Sequence, residues 1–393
     1  MTILEDIKIH DADRHVIEPM DLWTESLGQA FINKVGLNLR FDTVANRLDR
    51  TERLGSWADI RLSPQLMLKG KPALKKWNEN MQIHAAYKRE EKFAEADNQM
   101  SLGMDPIKQV QSMGKEVHTA SMFPTFAGFI VNNHNLTDDE SLQFCNAYNH
   151  WLNDYCKNHD RLYGVGLVSR HNPSNLVSQV EQIKRFGWKT IVLRPEVING
   201  KDLGDPEYNA FWDICESSNI SIAFHGGTHL QAPTAGSDRF SSHFAMHACA
   251  HPMEMQQAFL SLLESGVLHR HPNLKFAFLE AGAGWVPSWL WRLDEICKDD
   301  LPNELAHNIA MPPSEYFKRQ CWVGVELGEP CLQEVIKMIG SDKLLYGTDF
   351  PHPDHLKFDI NEFNEKNTGL SSNIIAQVLS GNGLEFFNIG QKK

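Results

Sequence analysis

Hydrophobic and polar positions change rhythm along this chain. From Val117 onward, short apolar runs alternate with longer stretches in which apolar residues recur every three or four positions. A short run bounded by turn residues marks a strand buried on both faces, and a period near 3.6 marks an amphipathic helix. The pattern predicts strands at His118–Phe123, Leu162–Ser169, Thr190–Arg194, Ile220–Phe224, Leu274–Leu279, Cys321–Val325 and Leu344–Gly347. Helices are predicted at Asp139–His159, Pro173–Phe186, Pro206–Ser217, through His251 to Glu264, Trp285–Cys297 and Cys331–Ile339, with a last one over Asn373–Leu379. One more strand precedes all of these. It lies in the stretch from Ile9 to Pro19, whose first half alternates until Glu18-Pro19 stops it.

Repeated strand–helix units imply a parallel sheet, and eight of them suggest an α/β fold of the closed (β/α)8, or TIM, barrel type. An open doubly wound sheet is the other arrangement, but no glycine-rich phosphate loop follows the first strand. The stretch between the first two barrel strands, residues 20–116, is long and polar. Its helix-like piece Leu74–Ala96 and its Trp23, Trp57 and Trp77 suggest an ordered insertion covering one end of the barrel, as a lid or an oligomer contact. The chain, 1–393, therefore reads as a single barrel domain with that insertion inside it.

Composition acts mainly by exclusion. A chain that is 42% hydrophobic and 22% charged is ordinary for a globular protein. A net charge of -12 argues against nucleic acid and anionic membrane surfaces as partners. No apolar run is long enough to span a bilayer. The seven cysteines are scattered and form no CxxC pair, so they read as reduced thiols of a cytoplasmic protein. The acidic N-terminus lacks the apolar segment of a secretory signal.

Candidate chemistry starts in the first strand. Alternation puts Asp11, Asp13 and His15 on one face. Buried, unpaired carboxylates cost several kcal/mol, so this face needs cations or hydrogen bonds, and a divalent metal suits a mixed Asp/His set. A solvated acidic edge strand is the plain alternative. In (β/α)8 barrels the active site is built at the C-terminal ends of the strands. Those ends carry Asp13, His15 and Glu18, then His225, Glu280, Glu326, and Asp349 with His352. His243, His247 and His251 lie four residues apart and share a helix face. Of these His251 is the candidate to reach the site, while His243, like His229 and His271, reads as structural. Arg194, ending strand four, is a candidate anchor for a substrate carboxylate, against an ordinary strand-end ion pair.

Four segments together resemble the ordered motifs of the amidohydrolase superfamily, in its aminocarboxymuconate-semialdehyde decarboxylase-like branch. They are Asp11-Ala12-Asp13-Arg14-His15, Phe224-His225-Gly226-Gly227, Phe278-Leu279-Glu280-Ala281-Gly282 and Gly347-Thr348-Asp349-Phe350-Pro351. They span nearly the whole chain and are specific to the superfamily rather than to a reaction. The resemblance implies that Asp13 takes the first ligand position, His15 the second, His225 the third, and Asp349 the strand-eight position. Two departures matter. The first ligand is Asp rather than His, and Glu280 stands where the decarboxylases keep a histidine acid/base.

The implied shell is Asp13, His15, Glu18, His225, Glu280 and Asp349, with His251 or His352 in reserve. That is too acid-rich for one four-coordinate zinc, and carboxylates that bridge two ions suit iron or manganese pairs. The set is similar to the dinuclear Fe or Mn/Fe oxygenases of this branch. The leading expectation is an O2-dependent monooxygenase hydroxylating a small organic substrate, with Glu280 or Glu18 bridging the metals. The second is a mononuclear zinc hydrolase or decarboxylase of a small carboxylic acid, with Asp349 or Glu280 as general base. A non-catalytic supporting subunit is a third reading, and intact candidate ligands on several strands argue against it. Trp285, Trp289 and Trp291 on one helix suggest a contact with a second copy or a related chain.

Overall fold

All seven residues of the first strand, β1 (Ile9–His15), are buried, so it is no solvated edge. In this computed structural model the described residues are 7–40, 65–73, 98–226, 233–240, 242–299, 303–325, 329–352 and 370–390. The predicted helical piece Leu74–Ala96, Trp57, Trp77, His229 and Glu326 lie outside them, as does the side chain of His243.

After β1 come helices α1 (Met20–Leu27) and α2 (Gln29–Val35). A small antiparallel sheet follows, made of β2 (Asn38–Arg40), β3 (Gln65–Leu68) and β4 (Lys71–Pro72). Helix α3 (Pro106–Ser112) is capped by the Asp105 carboxylate and leads into β5 (Val117–Phe123). Next are α4 (Phe126–Val131), α5 (Asp138–Cys156), β6 (Leu162–Gly164), β7 (Gly166–Leu167), α6 (Leu176–Arg185) and β8 (Thr190–Leu193). Then come α7 (Asn209–Ser217), β9 (Ser221–His225), α8 (His243–Glu264), α9 (Val267–Arg270), β10 (Phe276–Leu279) and α10 (Trp285–Asp299). The chain ends with α11 (Pro313–Gln320), β11 (Cys321–Val325), α12 (Leu332–Ile339), β12 (Leu344–Tyr346), α13 (Ser372–Ala376) and α14 (Asn382–Phe386).

Every pairing among the barrel strands is parallel, in the orders β1-β5-β6 and β7-β8-β9-β10-β11-β12. The predicted strand Leu162–Ser169 is two short pieces, β6 and β7. They are broken at Val165, whose amide still reaches the Met122 carbonyl at 3.2 Å. On the other side, β12 meets β1 through a parallel bridge between Arg14 and Phe350. There the Asp349 amide donates to the Asp13 carbonyl at 2.8 Å, and the His15 amide to the Phe350 carbonyl at 2.7 Å. Both seams are held by backbone hydrogen bonds, and the fold is the TIM barrel that the strand–helix alternation predicts.

The end opposite the strand C-termini is sealed by the C-terminal helices. Asn382 Nδ2 donates to the carbonyls of Ser341 (2.7 Å) and Leu344 (2.8 Å), and Ser380 Oγ to that of Lys8 (2.6 Å). The predicted helix Asn373–Leu379 ends earlier, at Ala376, and continues as a wide turn over Gln377–Gly381. Of the three tryptophans read as a contact surface, Trp285 is buried and Trp289 packs on the core, so Trp291 alone remains well exposed. Among the described residues no helix is long and apolar enough to cross a membrane.

Candidate metal centre

The seam between β1 and β12 places the last residues of the first strand beside the turn after the last. Parallel pairing aligns the ends of β9 and β10, with His225 opposite Leu279. Four strand ends and one helix thus converge. His15 Nε2 lies 3.0 Å from His225 Nε2, 3.4 Å from Asp13 Oδ1 and 3.3 Å from Asp349 Oδ1. His225 Nε2 lies 3.0 Å from the same Asp13 oxygen. On the other side of the His225 ring, Nδ1 is 3.3 Å from Glu280 Oε2. His352 Nδ1 is 2.7 Å from Asp349 Oδ1, and the His352 ring lies 4.1 Å from that of His15. His251, one helical turn past His247 on α8, donates Nδ1–H to the Glu280 carbonyl at 2.8 Å.

Hydrogen bonds on the far side of each ring decide what the near side offers. His15 Nδ1 is 2.9 Å from the Pro124 carbonyl, which only accepts, so Nδ1 carries the hydrogen and Nε2 presents a lone pair. His225 Nδ1 faces the Gly226 carbonyl at 3.2 Å, which fixes the same tautomer. Two ring lone pairs and a carboxylate oxygen therefore face one point. Their separations of 3.0–3.4 Å match the edges of a coordination sphere with bonds of about 2.1 Å. Buried Glu280 Oε2 and His251 Nε2 make no hydrogen bond among the described residues. The donor set fits one divalent cation. The two ligand groupings the structure offers, Asp13–His15–His225 and His15–Asp349–His352, share His15 and so describe a single locus.

The electrostatics agree with a locus rich in acid. Burial works against the charge on Asp13, yet His225 and His15 hold it well below the usual carboxylate range. Burial also opposes charge on His225, but Asp13 and Glu280 pull it up to about 10. His15 goes the other way, to about 4, through burial and the neighbouring charge on His352. Burial, with Glu280 and Asp13 nearby, pushes Asp349 up to about 7 against the pull of His352. His352 is raised to about 9, because Asp349 and Glu280 outweigh its burial. Both Glu280 and Asp349 hold a positive φ, 55° and 57°, at the ends of their strands. Non-glycine residues reach that region at a cost, and it turns their side chains inward here. They line a cavity of about 260 Å³ together with Ala12, His247, His251 and Val325.

Not every expected residue joins. Glu18 is buried, but its oxygens accept the amides of Thr125 (3.1 Å), Phe126 (2.8 Å) and Ala127 (3.0 Å), at the start of α4. It is a helix-end acceptor rather than a ligand. Asp11 is also spent elsewhere, on Arg14 Nη1 (3.2 Å), the Thr348 hydroxyl (2.6 Å) and the Thr348 amide (3.0 Å). The register of β1 shifts between Asp11 and Arg14, which breaks the simple alternation that put Asp11 with Asp13 and His15. Arg194 is not on the cavity wall: it forms a bidentate pair with Glu196 and donates to the Gly226 carbonyl. The ion-pair alternative describes it, and the substrate anchor does not.

Two supporting residues escaped the sequence reading. Gln109 Nε2 donates to the His15 carbonyl at 2.7 Å, and Thr125 Oγ1 lies 3.0 Å from His352 Nε2. Neither stands at a strand end, and a buried Gln or Thr carries no signal of its own. Pro124 did leave one, since it stops β5 where its carbonyl meets His15.

Comparison with known proteins gives the chain its relatives. The family model described as amidohydrolase matches residues 134–389. A protein of Dictyostelium discoideum named 2-amino-3-carboxymuconate-6-semialdehyde decarboxylase is 25% identical over 300 residues, 74% of this chain and 78% of that protein. The fold is similar to an amidohydrolase of Mycobacterium avium subsp. paratuberculosis K-10, with a TM-score of 0.72 and 20% identity over 97% of this chain and 99% of that one. It is also similar to 5-carboxyvanillate decarboxylase of Novosphingobium aromaticivorans, complexed with manganese and 4-hydroxy-3-methoxy-5-nitrobenzoic acid. There the TM-score is 0.70 and the identity 14%, over 98% and 97% of the two chains. These relatives are decarboxylases or amidohydrolases, and the metal named is manganese. The expected dinuclear iron, oxygen-consuming monooxygenase is therefore set aside. The structure shows one physical reason: Glu18, an acid meant to bridge two ions, is bound to backbone amides.

Proposed function

The chain belongs to the amidohydrolase family, and on that premise we propose that it removes CO2 from a small unsaturated or aromatic carboxylic acid, without O2, using one manganese or zinc ion. The observation that carries this reading is the convergence of the His15 and His225 lone pairs with Asp13 Oδ1 at one point beside an acid-walled cavity. The decarboxylase relatives support the choice of reaction.

Asp13, His15 and His225 would hold the ion, with Asp349 at its edge. When bound, such an ion supplies positive charge that fixes the substrate's carboxylate and tempers the negative charge left on carbon. The chain's own residues do the rest. Asp349 and His352, 2.7 Å apart, hold one proton between them beside the cavity. A proton shared between a buried carboxylate and an imidazole beside the cavity is placed for transfer to substrate. When the C–C bond breaks, CO2 leaves, the electron pair stays on carbon, and the proton of this pair takes the vacated position. Glu280 Oε2, 3.3 Å from His225 Nδ1, keeps the His225 ring turned, and Ala12, Leu279, Val325 and Leu345 add apolar surface to the cavity wall.

We infer that the described parts of residues 20–116 cover this end of a single barrel domain. Gln99 Nε2 near their end donates to the carbonyls of Pro351 (3.1 Å) and His352 (3.0 Å), which fastens that stretch to the site.

The test is anaerobic turnover of the protein reconstituted with Mn2+ or Zn2+ on hydroxylated benzoic acids and unsaturated dicarboxylic acids. Metal-dependent CO2 release is expected, with one deuterium entering the product in D2O. Hydrolysis of esters or amides without CO2 release, or turnover that needs O2, overturns the proposal.

A further inference from the structure

Arg194 sits at the end of β8, away from the cavity wall, yet it reaches the metal centre through one carbonyl. Its Nη1 donates to the carbonyl of Gly226, and that same oxygen is the 3.2 Å partner of His225 Nδ1. A carbonyl has two lone pairs and can take both donors. The guanidinium is itself fixed: Nε donates to Glu196 Oε2 at 3.1 Å and Nη2 to Glu196 Oε1 at 2.5 Å. The backbone under it is fixed too, because buried Arg170 donates Nη1 to the carbonyls of Arg194 (2.8 Å) and Glu196 (3.0 Å). On its other face the Gly226 peptide is hemmed in by α8, where an added Cβ would come within 3.3 Å of the Met255 methyl and 3.5 Å of His251 Nδ1.

We infer that Arg194, held by Glu196, is a positioning residue: it pins the Gly226 carbonyl so that His225 keeps its hydrogen on Nδ1 and presents the Nε2 lone pair to the metal locus. The physical reason is general. A ligating imidazole is oriented by what its other nitrogen donates to, and loss of such a support costs about 10–100-fold in metal affinity. A bidentate guanidinium–carboxylate pair is the stiffest side-chain device for placing that support. The inference rests on the metal centre proposed above, though not on the reaction.

The test uses the full chain with Arg194→Met, Arg194→Lys and Glu196→Gln. Mn2+ affinity is measured by competition with a chelator. Which nitrogen of His225 carries the hydrogen is read separately, in the Zn2+-loaded protein, from ¹⁵N histidine spectra in which the His225 signals are assigned by their loss in His225→Gln. Expected are a roughly 10–100-fold loss of affinity in Arg194→Met, a smaller loss in Glu196→Gln, and partial rescue by Lys. The His225 signals are expected to move from a single Nδ1–H tautomer to a mixture, with secondary structure retained by circular dichroism. Unchanged His225 signals in Arg194→Met overturn the inference, even if affinity falls. Should Arg194→Met fail to fold, Glu196→Gln decides by the same two readings. An absence of CO2 release would sink the proposed reaction and leave this result standing.

Discussion

Glu254 lies on α8, buried, and one of its oxygens accepts the Ala235 amide at 2.5 Å. Burial and the nearby carboxylate of Glu196 push it up to about 7, against the amide and Arg194. Its ordinary value is near 4.5, so folding holds the proton more tightly than the unfolded chain does. The stabilisation this gives is complete below pH 4.5 and is lost as the pH rises through 7. Above that, the folded protein carries an ionised, buried acid at a cost of up to about 3 kcal/mol. Glu254→Gln removes the titration while keeping an acceptor for Ala235. Urea unfolding at pH 5, 6, 7 and 8 is expected to show the variant gaining on the parent as pH rises, most steeply between 5 and 7. A difference that stays constant across that range would refute the assignment. Glu18 makes the complementary point: three amides at the start of α4 satisfy a buried acid with no metal involved.

The pairing of β1 with β12 is the element-level feature on which the site turns, because Asp13 and Asp349 face each other across it. It depends on Gly347, where an added Cβ would lie 2.4 Å from the Asp13 Cβ and 3.3 Å from its backbone nitrogen. Backbone cannot yield as a side-chain tip can, so Gly347→Ala is expected to part the strands and cost about 1–3 kcal/mol. It should also weaken Mn2+ binding at least tenfold. Gly164→Ala in β6 is the control, since its Cβ would meet the Trp188 indole at 2.4 Å and not the site. Comparable destabilisation with unchanged Mn2+ affinity is expected there, and equal affinity losses in both variants would count against the seam. The same elements show what sequence can and cannot display. Strand–helix alternation was plain because parallel strands buried on both faces leave unbroken apolar runs between amphipathic helices. His225, Glu280 and Asp349 were visible because each follows such a run, and His15 because it ends the alternating first strand. Glu18 closes one too, and nothing in its type separates a helix-end acceptor from a ligand. The shift in β1 that diverts Asp11 arises from pairing with β5, a contact 109 residues away in sequence at His10–Thr119.

For the molecule as a whole, the described C-terminal helices close one end of the barrel and the cavity lies at the other, at the strand C-termini. Asp13, Glu280 and Asp349 crowd that end of a chain whose net charge is already -12. Without a metal, His225 and His352, both raised by these acids, offset them within the described cluster. A divalent ion bound to the folded state and not to the unfolded chain would relieve this crowding and stabilise the whole barrel by mass action, by about 2.7 kcal/mol at a hundredfold excess over Kd. Stripping metal with EDTA is therefore expected to lower Tm by a few degrees, and Mn2+ or Zn2+ to restore it at one equivalent per chain. Asp13→Asn should be insensitive to both treatments, while Glu18→Gln should respond as the parent does, because its carboxyl serves α4. A parent protein whose Tm ignores both ions would remove the single-ion centre. Saturation at two equivalents would show that the convergence on His15 holds more than one ion, and the ligand assignment would have to be redrawn.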